Sequence, residues 1–176
     1  MLEGGRGSDG LKRIKMLSSR KILAVSAMAL ASVVALAGCS SFGGGASSAG
    51  ALTPALSARM DQPNAVLDSQ QAINLVNAYR ATRNMPPLVA DAGLNGTAQA
   101  LASQYAQTNQ APAKPQALVE MKLSAGYATF AETFSGWRNS PADANALVAP
   151  ATKAGVAVAF NPTSSYGVHW VLVLGN

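Results

Sequence analysis

Hydrophobic and polar positions along the chain form successive patterns, and the first is a long apolar run. Residues 22–37 (ILAVSAMALASVVALA) carry no charge and follow the basic segment 11–21 (LKRIKMLSSRK). A basic segment, a short apolar core and small residues before a cleavage site are typical of a secretory signal peptide. The run is shorter than the ~20 residues that cross a bilayer as a helix, which disfavours a retained membrane span. We therefore predict a signal peptide over residues 1–38, with residues 1–15 as an upstream extension if Met16 is the true start.

The next stretch, residues 39–67, has no regular apolar period. It begins rich in Gly, Ser and Ala and continues with two prolines. Such a composition cannot bury enough apolar surface to offset the entropy lost when the backbone is ordered. We therefore predict a flexible linker over residues 39–67, followed by a folded domain over residues 68–176.

The folded part begins with the spacing of amphipathic helices. Asp68 or Ser69 can cap a first helix of about 14 residues, which Pro86 and Pro87 end. A second helix is predicted over residues 90–107, with one face formed by Leu94, Ala98, Leu101, Ala102 and Tyr105.

Two shorter helices are predicted further along the chain. One covers Ala117–Ser124, and the other starts at Ala142, with Ser140 as its cap and Pro141 at its first position. They are separated from the first two by a proline-rich loop at residues 109–116.

The end of the chain changes to strand-like segments. Residues 155–160 (GVAVAF) and 169–175 (HWVLVLG) are short and rich in β-branched and aromatic residues. The segment between them fits the loop of a β-hairpin. Helices followed by strands predict an α+β domain, in which helices pack on a small antiparallel sheet.

The distribution of charge along the chain argues against nucleic-acid binding. The formal net charge is +5, but six basic residues precede residue 22. From Cys39 onward seven basic residues face six acidic ones. Because the body lacks a basic stripe interleaved with aromatic side chains, we do not expect it to bind nucleic acid.

Cys39 is the only cysteine, so a disulfide within the chain is excluded. It can be a small buried residue, a reactive thiol or a site of covalent modification. The sequence Leu36-Ala37-Gly38-Cys39 at the end of the apolar run resembles the lipobox of bacterial lipoproteins. That resemblance implies cleavage before Cys39, a diacylglycerol on its sulfur and an acyl chain on its amino group.

Such an anchor would hold the protein on a membrane of the cell envelope, because two or three acyl chains anchor stably whereas one is marginal. Ser40 follows the cysteine, in place of the Asp that marks inner-membrane retention in many Gram-negative lipoproteins. In a Gram-negative cell this favours the outer membrane, with the domain facing the periplasm. We expect no cofactor besides this covalent lipid.

Several segments of the domain, in their order, resemble the CAP superfamily of cysteine-rich secretory, antigen 5 and pathogenesis-related 1 proteins, also called SCP-like, in its bacterial form. The segments are LVNAYRATRNMPPLVADAGLNGTAQALASQYA, AGYATFAETFSGW, NSPADANALV, AGVAVAF and HWVLVLG. The resemblance implies a three-layer α-β-α sandwich, which agrees with the α+β prediction.

Many CAP domains place two histidines and two glutamates around a cleft that can hold zinc. In this chain Leu101 and Asp143 stand where the resemblance places the histidines, and Glu132 stands for one glutamate. Imidazole nitrogens are the ligands that zinc needs here, and two carboxylates alone would hold it weakly. We therefore assign no metal site and retain Leu101, Glu132, Asp143 and His169 as candidate cleft residues.

His169 is the only histidine, and it lies in a predicted strand beside Trp170. A catalytic base would need a nucleophile and an orienting acid nearby, and no motif supplies them. We expect a structural role for it. Asn77 and Arg80 fit either an exposed helix face or a buried polar brace, and the aromatic Tyr127, Trp137 and Trp170 fit the core or a cleft wall.

These observations favour a lipid-anchored, non-enzymatic CAP-domain protein that binds a lipid, another small hydrophobic ligand or a surface partner. The binding of lipids is implied by the resemblance alone. The alternatives are a hydrolase of peptide or cell-wall substrates, weakly dependent on metal or independent of it, and a purely structural domain. The sequence identifies no protein partner.

Overall fold

The computed structural model describes residues 53–176. The predicted signal peptide and Cys39 lie outside these residues. The described part begins with a 3-10 turn at Pro54–Ser57. It continues with α1 (Ser69–Ala81), β1 (Val89–Ala90), α2 (Ala92–Thr108), β2 (Glu120–Ala125), α3 (Phe130–Asn139), α4 (Pro141–Leu147), β3 (Lys153–Phe160) and β4 (Val168–Gly175). None of the helices in this part is long and apolar enough to span a bilayer.

The four strands form one sheet in the order β1-β3-β4-β2. β4 lies antiparallel to both β3 and β2, and its Trp170 is opposite Val158 on one side and Ser124 on the other. β1 adds only two residues and runs parallel to β3. The hairpin predicted from the last two apolar runs is therefore confirmed, while the sheet is mixed rather than purely antiparallel because of this short edge strand.

Side chains of β4 alternate between two separate cores. Val168, Trp170, Leu172 and Leu174 pack with α1, α3 and α4. Val171 and Val173 pack with α2 on the opposite face. The sheet thus lies between α2 and the three other helices, which confirms the expected three-layer sandwich. A strand that is buried on both faces has no polar side, which explains the continuous apolar run in the sequence.

The contact between α2 and β3 depends on Gly155. A Cβ atom at this position would lie 2.1 Å from the backbone carbon of Leu94 and 2.4 Å from the nitrogen of Asn95. Asn95 also accepts a hydrogen bond, at 2.9 Å, from the backbone N–H of Val156 through its side-chain oxygen. The backbone of the helix therefore rests directly on the strand.

The first two predicted helices are observed, with Asp68 capping α1 through a 3.0 Å hydrogen bond from the N–H of Gln71. The fourth is observed too, with Pro141 at its first position. The predicted helix at Ala117–Ser124 is wrong, because residues 120–125 form β2. Met121 and Leu123 pack on the α2 side, and the polar residues that alternate with them lie on the other face, which is the period of a strand.

α3 was not predicted, although its start carries a recognisable signal. Thr129 and Glu132 form a capping box, the T-x-x-E pattern that precedes many helices. The apolar residues Phe130, Phe134 and Trp137 of α3 also recur at i, i+4 and i+7, the spacing of an amphipathic helix, although Gly136 disfavours a helix locally.

The predicted flexible linker is wrong for residues 53–67. Leu56 and Met60 are only 4% and 3% exposed and belong to the core under α1 and α3. The backbone N–H of Met60 also donates to the carbonyl of Ala128 at 2.7 Å. Two well-placed apolar side chains fix this segment to the core although its other residues are exposed or half-buried, so the folded domain includes residues before the predicted boundary at 68. Residues 39–52 lie outside the described part.

Candidate functional site

The four predicted cleft residues do not form one site. Leu101 lies on α2 and packs against the sheet from that side, and the ring of His169 contacts Tyr105 of the same helix at 4.5 Å between centroids. Glu132 and Asp143 belong to α3 and α4, on the opposite side of the sheet. The prediction of a shared cleft is therefore wrong, because motif spacing does not show which face of the sheet each element covers.

Glu132 forms part of a helix cap. Its side-chain oxygen accepts hydrogen bonds from the backbone N–H of Thr129 at 3.1 Å and from the Thr129 hydroxyl at 3.0 Å. The N–H of Glu132 donates in return to the Thr129 hydroxyl at 3.2 Å. These bonds satisfy groups at the start of α3 that would otherwise lack partners, so the carboxylate has a structural role.

Asp143 forms an ion pair with Lys122 of β2. The pair is partly buried and links the first turn of α4 to the edge of the sheet. A lysine ammonium beside the carboxylate opposes the approach of a metal cation. Within residues 53–176 no three His, Cys, Asp or Glu side chains lie close enough to hold a metal ion. The zinc implied by the family resemblance therefore does not fit these residues.

His169 is fully buried in β4. Its Nε2 lies 2.9 Å from the hydroxyl of Ser164. That hydroxyl donates to the carbonyl of Asn161 at 2.9 Å and accepts from the N–H of Gly167 at 3.0 Å. The imidazole Nε2 is therefore the donor to Ser164, and Nδ1 has no hydrogen-bond partner.

Burial lowers the pKa of His169, because the charged ring would lose its hydration. The neutral ring holds the β3–β4 loop through Ser164. Among residues 53–176 no carboxylate bonds to Nδ1, and the serine hydroxyl is already engaged in the loop. Within this part of the chain the pair thus lacks the orienting acid and the free nucleophile of a hydrolytic triad.

Arg80 and Asn77 form a buried polar brace rather than an exposed helix face, the two roles that the sequence allows. Arg80 donates through Nη1 to the carbonyls of Leu147 and Ala149, both at 2.9 Å, and through Nε to Pro86 at 3.0 Å. Asn77 exchanges two hydrogen bonds with the backbone of Leu88, at 2.9 and 2.8 Å. The brace links α1 to the ends of α4 and of the α1–β1 loop.

The Arg80 guanidinium has no carboxylate within ion-pairing distance among residues 53–176, where the ion pairs are Arg59–Asp61 and Lys122–Asp143. Burial lowers the pKa of Arg80, but an arginine remains protonated in proteins. Backbone carbonyls satisfy its hydrogen bonds without cancelling its charge. The molecule therefore holds an unneutralised cation beneath the junction of α1 and α4.

A two-part groove runs over this junction on the surface formed by α1, α3 and α4. One part, here called the basic groove, has a volume of about 560 Å³, and its lining includes Tyr79, Arg83, Arg138, Asn139 and Asn145. The other, here called the apolar trough, has a volume of about 360 Å³ and is lined by Leu75, Ala131, Glu132, Phe134, Ser135 and Arg138. Arg138 lines both parts, so the two concavities adjoin at this side chain.

Contacts between aromatic and basic side chains fix the groove wall. The rings of Tyr79 and Phe134 meet edge to face with centroids 6.0 Å apart. The guanidinium of Arg83 lies 5.3 Å from the centroid of the Tyr79 ring, within cation–π distance. No acidic side chain lines the basic groove, and within residues 53–176 neither Arg83 nor Arg138 pairs with a carboxylate.

The sequence analysis did not find this groove. Leu75 and Tyr79 of α1 and Arg83, two residues past its end, recur every four residues, so their common stripe is visible in the sequence. Arg138 and Asn145 come from two later helices, and only the tertiary fold brings them to that stripe.

Comparison with known proteins agrees with the fold. A family model described as the cysteine-rich secretory protein family (CAP) matches residues 73–174, which is more than half of the chain. A comparison with curated proteins gave no match.

Among solved structures, an extracellular protein containing an SCP domain from Bacillus anthracis str. Ames shares 18% identity and a TM-score of 0.50, over 61% of this chain and 40% of that chain. The protein MpPR-1i shares 21% identity and a TM-score of 0.50, over 60% of this chain and 87% of that chain. At these identities the likeness concerns the fold alone. The extent of the family match nevertheless shows that this chain belongs to the cysteine-rich secretory protein (CAP) family.

Proposed function

We propose that this protein is a lipid-anchored, non-enzymatic binding protein of the bacterial cell envelope, and that the α1–α3–α4 groove binds an amphipathic ligand with an acyl chain. The observation that carries the proposal is the position of Arg138, where an apolar trough adjoins a groove whose arginines have no carboxylate partner among residues 53–176. An acyl chain in the trough would leave its polar end beside Arg83 and Arg138. Sites for small molecules are mostly apolar concavities with a few placed polar groups, as here.

Anchoring through Cys39 is part of the proposal. Its support is the order of basic segment, apolar run and Leu-Ala-Gly-Cys in residues 11–39. The similarity in fold to a Bacillus protein described as extracellular is consistent with an envelope location. Cells labelled with a clickable fatty acid should incorporate the label into the wild type, and Cys39→Ser should lose it. Equal labelling of both would contradict the anchor.

The ligand site can be tested with the secreted Cys39→Ser chain, titrated with a fluorescent long-chain fatty acid. Ala131→Trp should fill the apolar trough and weaken binding by about tenfold or more, since the chain would have to bind elsewhere. Ala100→Trp is the matched control, because Ala100 is an exposed alanine of α2 on the other side of the sheet. Equal affinity of both variants would contradict the assignment of the trough.

The alternative function, a hydrolase of peptide or cell-wall substrates, is tested by a second measurement. The purified chain should leave a peptide library and cell-wall fragments intact. Turnover by the wild type would overturn the non-enzymatic proposal. Its loss in both Glu132→Ala and Glu132→Gln would then assign catalysis to the carboxylate, whereas its survival in Glu132→Gln would show that only the helix cap is needed.

A further inference from the structure

The charges around the basic groove indicate what the polar end of the ligand is. Arg83 and Arg138 line the groove without carboxylate partners among residues 53–176. Behind the groove, Arg80 donates to the carbonyls of Leu147 and Ala149, the two residues on either side of the lining residue Val148. Two guanidinium groups thus line one concavity that has no acidic side chain among residues 53–176, and the buried Arg80 adds a third positive charge behind the backbone at Val148.

The uncharged lining adds donors of the same kind. The amide side chains of Asn139 and Asn145 can each offer N–H groups. Tyr79 restrains Arg83 by lying against its guanidinium. A restrained arginine loses less conformational entropy when it binds an anion, which favours a specific site over a diffuse positive surface.

The size and the donor number of the basic groove favour phosphate over carboxylate. A carboxylate has two oxygens and is satisfied by a single guanidinium fork. A phosphate has at least three strongly accepting oxygens and carries more charge, so it can engage two guanidinium groups at once. The basic groove, at about 560 Å³, is also larger than the apolar trough at about 360 Å³, so it has room for a head group rather than for a terminal carboxylate alone.

We propose that the basic groove is a phosphate subsite, formed by Arg83 and Arg138 and reinforced by the buried charge of Arg80, and that the ligand is a single-chain lipid with a phosphate-bearing head group. This inference rests on the proposed function, because it assigns the acyl chain to the apolar trough. The trough selects the chain, and the two exposed arginines select the phosphate.

The test compares three single-chain lipids of equal chain length below their micelle concentrations: a monoacylglycerol phosphate, a fatty acid and a neutral monoacylglycerol. The secreted Cys39→Ser chain should bind the phosphate lipid at least about tenfold more tightly than the neutral one, because each charge-assisted hydrogen bond to phosphate adds affinity. The fatty acid should lie between them. The preference for the phosphate lipid should weaken as salt rises.

Arg83→Gln with Arg138→Gln should abolish this preference, because the phosphate lipid loses both guanidinium partners and should then bind no more tightly than the neutral lipid does to the same variant. Lys153→Gln is the control, since it removes one positive charge at an exposed position outside the groove. If the double variant keeps the preference, or if all three lipids bind equally, the phosphate subsite is wrong, whereas the proposed lipid binding stands.

A separate titration distinguishes failure of the proposed lipid binding from failure of the phosphate subsite. If none of the lipids binds, the proposed function fails. Glycerol 3-phosphate is then titrated while the side-chain N–H signals of Arg83 and Arg138 are followed by NMR. Saturable shifts of these signals without lipid binding would assign the groove to a soluble phosphate ester and overturn the lipid as its source. Unchanged signals would overturn the subsite itself.

Discussion

The two faces of the sheet are covered in different ways. On one face the single helix α2 lies so close to β3 that Gly155 has no room for a side chain. On the other face three helices meet at a junction that leaves the basic groove and the apolar trough open. Where backbone packs on backbone, as at Gly155, no space for a ligand remains between the two elements, whereas helices that meet at their ends leave such a space. Substitutions on the α2 side should therefore change stability, and those at the groove rim should change binding.

The largest effect is expected from Gly155→Ala. The new Cβ atom would collide with the backbone of Leu94, and neither backbone can move without separating α2 from β3. We expect a loss of more than about 3 kcal/mol in the free energy of unfolding, measured by urea denaturation. Gly96→Ala is the control, because a Cβ there meets no atom within 4 Å. It should stabilise α2 by about 0.5–1 kcal/mol. Similar stability of the two variants would contradict the close contact.

Arg80→Ala tests whether the buried brace beneath the junction of α1 and α4 belongs to the stable part of the molecule. Removal of the side chain leaves the buried carbonyls of Leu147 and Ala149 without these donors. We expect the free energy of unfolding to fall by about 2–4 kcal/mol. Arg83→Ala, one turn later and exposed, should change stability by less than about 0.5 kcal/mol and yet weaken binding of the phosphate lipid. If Arg83→Ala is as destabilising as Arg80→Ala, the distinction between the buried brace and the exposed lining of the basic groove is wrong.

His169, which faces α2, should make the free energy of unfolding depend on pH. Burial lowers its pKa in the folded protein, so below the ordinary value of 6.5 the unfolded chain binds a proton that the folded chain does not. Stability should be unaffected by this group above that pH and should fall as the pH decreases below it, by at most about 1.4 kcal/mol per pH unit. Urea denaturation of the wild type and of His169→Gln between pH 7.5 and 5 isolates this contribution. Parallel stability profiles would show that the ring does not remain neutral in the fold.

The smallest effect is expected at Glu132, on the groove side. Glu132→Ala removes the acceptor for Thr129 and should cost about 1 kcal/mol of stability. Glu132→Gln should cost less, because glutamine also serves in a capping box. Both variants should bind the lipid ligand within about twofold of the wild type, as isothermal titration calorimetry can show. A large loss of binding in Glu132→Gln would give the carboxylate a role in the site.

The sequence was informative where local rules dominate. The capped helix α1, the proline-started α4 and the final hairpin follow from spacing and end signals. β2 was mistaken for a helix because Glu120–Ala125 is rich in residues that also suit helices. Its strand form depends on pairing with β4, which lies almost fifty residues later along the chain. Local propensity carries no information about that partner.

The site was harder to foresee than the fold for the same reason. The candidate cleft was placed by motif positions, and two of those positions, Leu101 and Asp143, lie on opposite sides of the sheet. Glu132 looked like a cleft carboxylate, although the Thr129 three residues before it gave the signal of a cap. The groove requires Arg83 and Arg138 from different helices, and the sequence contains no pattern that relates them.

The segment before α1, which Leu56 and Met60 fix to the core, determines where a pull on the anchor would act. Under the proposed anchoring, tension from the membrane enters the domain through residues 53–60, where Leu56 is inserted in the core and Met60 donates to Ala128 next to the start of α3. A pull on the anchor would therefore load α1 and α3 together, and both helices line the apolar trough. Traction on the lipid anchor and occupancy of the trough would thus act on the same two helices.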